Sequence, residues 1–213
     1  MPLTGRYRAV VFDMDGLLLD TETLWHEAET ELFARHGATF TWDDRMAVMG
    51  TSFAMTADYF VRRLRRPVEE GPRLVQEMIE LMHALVRRAV EARPGAVELV
   101  KRLRADGVPL GLASNSPRFL VDDALATAGL ADAFDTIVTS DDVEHAKPAP
   151  DIYRLACERL GVEPADALAL EDSASGVTAA KAAGLTVIGV PQFAEADVSA
   201  ADRVVDSLEE LLA

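Results

Sequence analysis

The run Val10-Val11-Phe12-Asp13-Met14-Asp15-Gly16-Leu17-Leu18-Leu19-Asp20 constrains the fold more than any other stretch of the chain. Three β-prone apolar residues lead straight into two carboxylates spaced two apart, with a glycine directly after them. This reads as a buried strand that ends by delivering Asp13 and Asp15 to its carboxyl edge. Open α/β sheets hold their ligands at that edge. In extended chain, residues i and i+2 point the same way, so both side chains can face one site, and the bend that must follow falls on Gly16, where a side chain would obstruct it. Two carboxylates on one small site repel each other, and a hard cation such as magnesium relieves the repulsion. The bland alternative is an acidic strand-end turn that binds nothing.

The chain has 213 residues, 49% of them hydrophobic, enough for one full core or a core carrying an insertion. From about Thr21, Leu24, Ala28, Leu32 and Phe33 recur at helical spacing with Glu27, Glu29 and Glu31 between them, until Gly37 stops the run. Met46 to Leu64 and Leu74 to Val90 predict further amphipathic helices, broken by Gly50 and by Pro67 with Gly71-Pro72. No strand pattern interrupts this region, so residues 21–90 read as an all-helical unit.

After Pro94-Gly95 strands and helices alternate. Helices are expected over Val97–Ala105, Phe119–Ala128, Ile152–Leu160 and Val177–Ala183, and strands over Leu110–Ala113, Thr136–Thr139, Leu168–Leu170, Val187–Val190 and Val204–Val205, with a short terminal helix. Such alternation implies a Rossmann-like parallel sheet with helices on both faces. The α/β unit would comprise residues 1–20 and 91–213, with residues 21–90 inserted after the first strand.

The formal net charge of −15 argues against a nucleic-acid partner, and the acidic excess lies mainly outside residues 21–90. No apolar run approaches the roughly eighteen residues that span a bilayer, and the N-terminal apolar run is too short for a signal peptide. A single cysteine, Cys157, leaves no internal disulfide and fits a reducing cytoplasm, where its role would be helix packing. No coiled-coil repeat asks for more than a monomer.

Polar residues follow the later strands. Ala113-Ser114-Asn115-Ser116-Pro117 offers hydroxyls, an amide and main-chain N–H groups before a helix, which suits an anion but equally an ordinary N-cap. His145-Ala146-Lys147-Pro148-Ala149-Pro150 carries one of only three lysines between prolines that stiffen its loop, although a solvated lysine would look the same. Glu171-Asp172-Ser173 adds two carboxylates that could also be caps. Taken together, four polar segments at successive strand ends point to one site.

The motifs Asp-Met-Asp-Gly, Ala-Ser-Asn-Ser, Lys-Pro-Ala-Pro-Asp and Glu-Asp-Ser-Ala-Ser-Gly resemble those of haloacid dehalogenase superfamily phosphatases with a helical cap. Within them the chain is similar to the β-phosphoglucomutase-like branch, especially to phosphatases of hexose and 2-deoxyhexose phosphates. The resemblance implies that Asp13 is a nucleophile forming an aspartyl-phosphate and Asp15 a general acid and base. It also implies a magnesium site made by Asp13, the main-chain carbonyl of Asp15, Asp172 and Glu171, the last directly or from behind. Ser114, Asn115 and Lys147 would hold phosphoryl oxygens, and the partner would be a small phosphorylated metabolite. Asp20 reads as a cap or hinge residue at the entry to the helical unit.

Alternative chemistries of the same family differ at identifiable residues. Asp15 supplies an acid that dehalogenases lack, and residues 21–90 contain no lysine for the Schiff base of phosphonatases. In β-phosphoglucomutases a cap histidine falls where this chain has Trp25, and a cap arginine where it has Phe53, so hydrolysis is favoured over a mutase reaction. Phosphoglycolate and nucleotide phosphatases remain alternatives. Trp25 and the cap loop Met49-Gly50-Thr51-Ser52 are the candidates for contact with the leaving group, with burial in the cap's own core as the alternative for Trp25. Arg62, Arg63, Arg65 and Arg66 read as a solvated helix face, and His83 as a packing residue.

Overall fold

The computed structural model describes residues 5–212; residues 1–4 and 213, at the outer limits of the expected α/β unit, lie outside the described part. The first strand, β1 (Ala9–Phe12), sits in the middle of a six-stranded sheet ordered β3-β2-β1-β4-β5-β6, with every neighbouring pair parallel. The other strands are β2 (Leu110–Ala113), β3 (Thr136–Val138), β4 (Ala167–Glu171), β5 (Thr186–Gly189) and β6 (Arg203–Val204). The chain runs outward from β1 through β2 to β3 and then returns to β4 on the other flank of β1. That reversal opens a crevice at the carboxyl ends of β1 and β4, where doubly wound sheets bind ligands.

Period-two alternation sends successive strand residues to opposite faces. Val10, Phe12, Leu110, Leu112, Leu168 and Leu170 join one hydrophobic core, whereas Val11, Ala113, Ala167, Ala169 and Val187 join the other. Helices α5 (Ala96–Ala105) and α6 (Arg118–Thr127) cover the first face, and α7 (Asp151–Leu160) and α8 (Ala174–Ala183) the second. Between β1 and α5 the chain forms α1 (Glu22–Arg35), α2 (Trp42–Val48), α3 (Phe53–Leu64) and α4 (Gly71–Arg88). Here α4 packs against α1, α3 and, across to the α/β unit, α6.

Several boundaries differ from the sequence expectation for local reasons. The break expected at Gly50 is present, where the chain turns left-handed at a φ of 68° and Ser52 caps a new helix, so the stretch from Met46 to Leu64 belongs to two helices. The earlier of the two begins at Trp42, where Thr41 and Asp44 form a reciprocal capping box. Gly71-Pro72, read as a break, instead opens α4, with the proline in the first turn where its missing N–H costs nothing. The terminal helix is a 3-10 turn over Leu208–Leu212.

Asp44 ties the insert together. Its carboxylate accepts from the Thr41 amide at 2.8 Å, the Tyr59 hydroxyl at 2.6 Å and Arg63 Nε at 2.8 Å. Arg63 therefore anchors α3 to α2 and is not merely part of a solvated face. Burial would raise the Asp44 carboxyl, but the hydrogen bonds from Arg63, Tyr59 and Thr41 outweigh it and hold the group below its ordinary value. A carboxyl that titrates below its unfolded value of about 3.9 contributes fully above that pH, and the contribution is lost as pH falls toward the folded value. Asp44→Asn should therefore cost about 1–3 kcal/mol at neutral pH and flatten the loss of stability below about pH 4, as read by urea denaturation across pH.

Candidate active site

Pairing between β1 and β4 continues one step past the strand, because the Asp13 amide donates to the Leu170 carbonyl at 3.0 Å. This sets Asp13 beside Glu171 and Asp172. Gly16 then turns the chain at a φ of 80°, and a Cβ there would overlap the Asp172 carboxylate, so glycine is required twice over. The ammonium of Lys147 donates to Asp13 Oδ1 at 2.6 Å, Glu171 Oε1 at 2.6 Å and the Ala113 carbonyl at 2.8 Å. All three of its protons are thereby placed.

Glu171 is sealed in from every side. Tyr153 donates its hydroxyl to Oε1 at 2.5 Å, and the Ser173 amide and hydroxyl approach Oε2 at 3.4 and 3.2 Å. Gly176 of α8 leaves the room, since a Cβ at that position would fall on the Glu171 carboxylate.

The charges of this cluster do not balance. Asp13, Glu171 and Asp172 are buried with one ammonium between them. Burial, with Glu171 and Asp15 adding to it, pushes the Asp13 carboxyl up to about 8 in spite of Lys147. Asp172 is raised well above the carboxylate range by burial and then by Asp13 and Glu171. Burial would lower the Lys147 ammonium, but Asp13 and Glu171 outweigh it and keep it firmly protonated. Carboxylate oxygens of Asp13, Glu171 and Asp172 lie within 4.8 Å of one another. An all-oxygen, surplus-anion donor set of this kind fits a hard divalent cation such as magnesium. The Asp15 carboxylate is not part of it.

Asp15 is instead held by four donors. Thr21 Oγ1 at 2.8 Å and Trp25 Nε1 at 3.1 Å reach Oδ1, and Ser114 Oγ at 3.0 Å and Ser116 Oγ at 2.9 Å reach Oδ2. Both threonine and tryptophan belong to the entry into the insert, and both serines to the loop after β2. The indole thus lines the cavity and also packs on Phe53, with ring centroids 6.1 Å apart.

The expected anion cradle is used differently here. Ser114 is fully buried and spends its hydroxyl on Asp15, while Asn115 bonds to the main chain of Lys147 at both ends of its amide, at 2.9 and 3.2 Å. Asn115 and Ser116 line the cavity; Ser114 does not. Of the cap loop, Met49, Gly50 and Thr51 line it, and Ser52 serves as the N-cap of α3. Asp20 accepts from Thr23 at 3.1 Å and from Gln192 at 2.8 Å, a residue bridging insert and sheet at the hinge. His83 does more than pack, meeting Asp123 of α6 at 2.6 Å.

Three charged cavity residues escaped the sequence reading. Glu22, Glu29 and Arg45 lie inside the insert, Arg45 pairing with Glu22 and, at 2.9 Å, with Glu29 Oε1. Glu29, grouped above with the polar spacers of α1, is buried. A signal existed in the spacing, because Glu22, Trp25 and Glu29 share one face of α1. Tyr153 was missed as well, having no motif of its own.

The family model for haloacid dehalogenase-like hydrolases matches residues 7–184. The chain belongs to the haloacid dehalogenase-like hydrolase family. Among curated members, it is 34% identical over 209 residues to validoxylamine A 7'-phosphate phosphatase of Streptomyces hygroscopicus subsp. limoneus, with 96% of each chain covered. Hexitol phosphatase B of Escherichia coli K12 is 33% identical over 184 residues, covering 86% of this chain and 83% of that protein. CbbY from Rhodobacter sphaeroides, solved in complex with phosphate, superposes with a TM-score of 0.83 at 32% identity and 96% coverage of both chains. Among the described residues no helix is long and apolar enough to cross a membrane.

Removing the central cation of this haloacid dehalogenase-like site tests how the cluster is held. Lys147→Met leaves Asp13 and Glu171 buried without a counter-charge and should cost about 3–5 kcal/mol in urea denaturation.

Proposed function

We propose that the protein is a magnesium-dependent phosphomonoester hydrolase acting on small phosphorylated metabolites, sugar phosphates foremost, through an aspartyl-phosphate on Asp13. One observation carries the reading. Two carboxylates from one strand end share a cavity yet are engaged by opposite kinds of partner, Asp13 by an ammonium and Asp15 by neutral hydroxyl and indole donors. That division suits one group for nucleophilic attack and the other for proton transfer. The named phosphatase activities of relatives more than 30% identical over most of the chain support it.

Lys147 occupies Asp13 Oδ1, so Oδ2 is the oxygen free to attack phosphorus. As the Asp13–phosphorus bond forms and the bond to the leaving oxygen breaks, Asp15 gives that oxygen a proton. Water then attacks phosphorus, Asp15 takes its proton, and Asp13 is released with inorganic phosphate. Asp13, Asp172 and the Asp15 main-chain carbonyl would hold the magnesium, with Glu171 beside them. When bound, the ion supplies positive charge against the repulsion between an anionic phosphoryl group and an anionic nucleophile. Asn115 and Lys147 fix the loop that faces the phosphoryl oxygens, and Ser114 orients Asp15.

The helical insert acts in this reading as a cap that excludes water and contacts the leaving group. Phosphoryl transfer back to a second sugar hydroxyl would call for a base in the cap. An indole N–H only donates, and here it is committed to Asp15. His26 packs between Phe40 and Trp42 at centroid distances of 5.8 and 5.5 Å and is no substitute.

Phosphate release with magnesium, from a panel of hexose 6-phosphates, 2-deoxyhexose 6-phosphate, phosphoglycolate and nucleotides, tests the reading. Turnover should concentrate on the hexose phosphates and fall by at least about a thousand-fold in Asp13→Asn. Turnover that survives in the variant, or a wild type that converts β-glucose 1-phosphate to the 6-phosphate without releasing phosphate, would overturn it.

A further inference from the structure

Arg45, deep in the insert, has Nη1 on Glu29 Oε1 and Nη2 on Glu22 Oε2, but its Nε has no partner. Glu29 Oε2 has none either. All three side chains are more than nine-tenths buried, at 4%, 6% and 2% exposure for Arg45, Glu22 and Glu29, and they line the same cavity of about 80 Å³ as Asp13 and Asp15. A buried donor and a buried acceptor left open beside a cavity are costly unless something fills them. Burial raises the Glu29 carboxyl well above its ordinary range, as expected of an acceptor oxygen with no donor of its own. The cluster lines the same cavity as Asp13, Asp15 and Asp172, and although burial lowers the Arg45 guanidinium, the charges of Asp15 and Asp172 act on it in the opposite sense.

We propose that the Glu22–Arg45–Glu29 cluster is the recognition site for the leaving group, taking hydroxyls of a neutral polyol or sugar and rejecting any substrate with a second anionic group. A hydroxyl both donates and accepts, so it can give its proton to Glu29 Oε2 while receiving from Arg45 Nε, alone or as one of an adjacent pair. A second phosphate or a carboxylate has only acceptors to offer. It would find no free cation among the described residues that line the cavity, because Arg45 is already paired with Glu22 and Glu29 and Lys147 with Asp13 and Glu171. Specificity thus comes as much from repulsion as from fit. The inference rests on the reading of Asp13 and Asp15 as the phosphoryl-transfer pair.

Three substrates separate the possibilities: glucose 6-phosphate, fructose 1,6-bisphosphate and p-nitrophenyl phosphate, whose leaving group has no hydroxyl to bind. In wild type, kcat/KM for the monophosphate should exceed that for the bisphosphate by about a hundred-fold. Glu29→Gln and, independently, Arg45→Lys should lower kcat/KM for glucose 6-phosphate by about ten- to a hundred-fold while leaving p-nitrophenyl phosphate within about two-fold, which also shows that the variants are folded. Neutralising both acids in Glu22→Gln/Glu29→Gln frees the Arg45 charge and should raise relative turnover of the bisphosphate about ten-fold, a gain that a purely structural cluster would not produce.

Equal turnover of mono- and bisphosphate by wild type, or equal losses on glucose 6-phosphate and p-nitrophenyl phosphate in both single variants, would overturn the proposal. If wild type turns over p-nitrophenyl phosphate and Asp13→Asn does not, the phosphoryl-transfer reading stands whatever the cluster does. If wild type hydrolyses none of the three, that reading fails and this one with it.

Discussion

The Lys147 ammonium is the contact on which the rest of the site depends. It joins the ends of three strand segments, Asp13 after β1, Ala113 at the end of β2 and Glu171 at the end of β4, with three short hydrogen bonds. Without it, two buried carboxylates would stand side by side at the crevice and the sheet edge would be under electrostatic strain. With it, one positive charge still faces three carboxylates, and the excess shows in the upward shifts of Asp13 and Asp172. The fold thus holds an anionic site that is incomplete by itself, and the missing positive charge is what a dication would supply.

A second constraint couples the two parts of the chain. Asp15 is gripped from the insert by Thr21 and Trp25 and from the sheet by Ser114 and Ser116. Gly50 extends the same contact, since a Cβ there would lie 3.2 Å from that of Ser173 on the opposite wall, and Trp42 meets Phe193 with centroids 5.2 Å apart. The carboxylate proposed to move protons therefore has all four of its donors when the insert lies against the sheet. Proton transfer and exclusion of water would then be linked through one side chain.

Much of this architecture was legible in the sequence, and the exceptions have physical reasons. The alternation after residue 94 and the apolar run into Asp13 identify the parallel sheet because buried strands leave a strong local signature. Asp13 and Asp172 stand out because each directly follows a strand, and Lys147 because it is a rare lysine set between stiffening prolines in the loop after β3. Ser114 was legible as a site residue, but not in its actual direction, because a hydroxyl can serve an anion or a neighbouring carboxylate equally well. Glu29 and Arg45 were not legible at all. Each looks like ordinary solvated charge in a helix until tertiary packing brings α1 and α2 together and buries both. Helix ends moved for a related reason, since a capping box at Thr41 and a proline in a first turn override apolar periodicity.

The central claim is that the anionic surplus around Lys147 is matched by a bound dication, and thermal unfolding with and without magnesium tests it most directly. Ligand that binds only the folded state raises stability with its concentration. Millimolar magnesium should raise the unfolding temperature of wild type progressively and leave Asp172→Asn unmoved. A wild type indifferent to magnesium, or a variant shifted as much as wild type, would contradict the account.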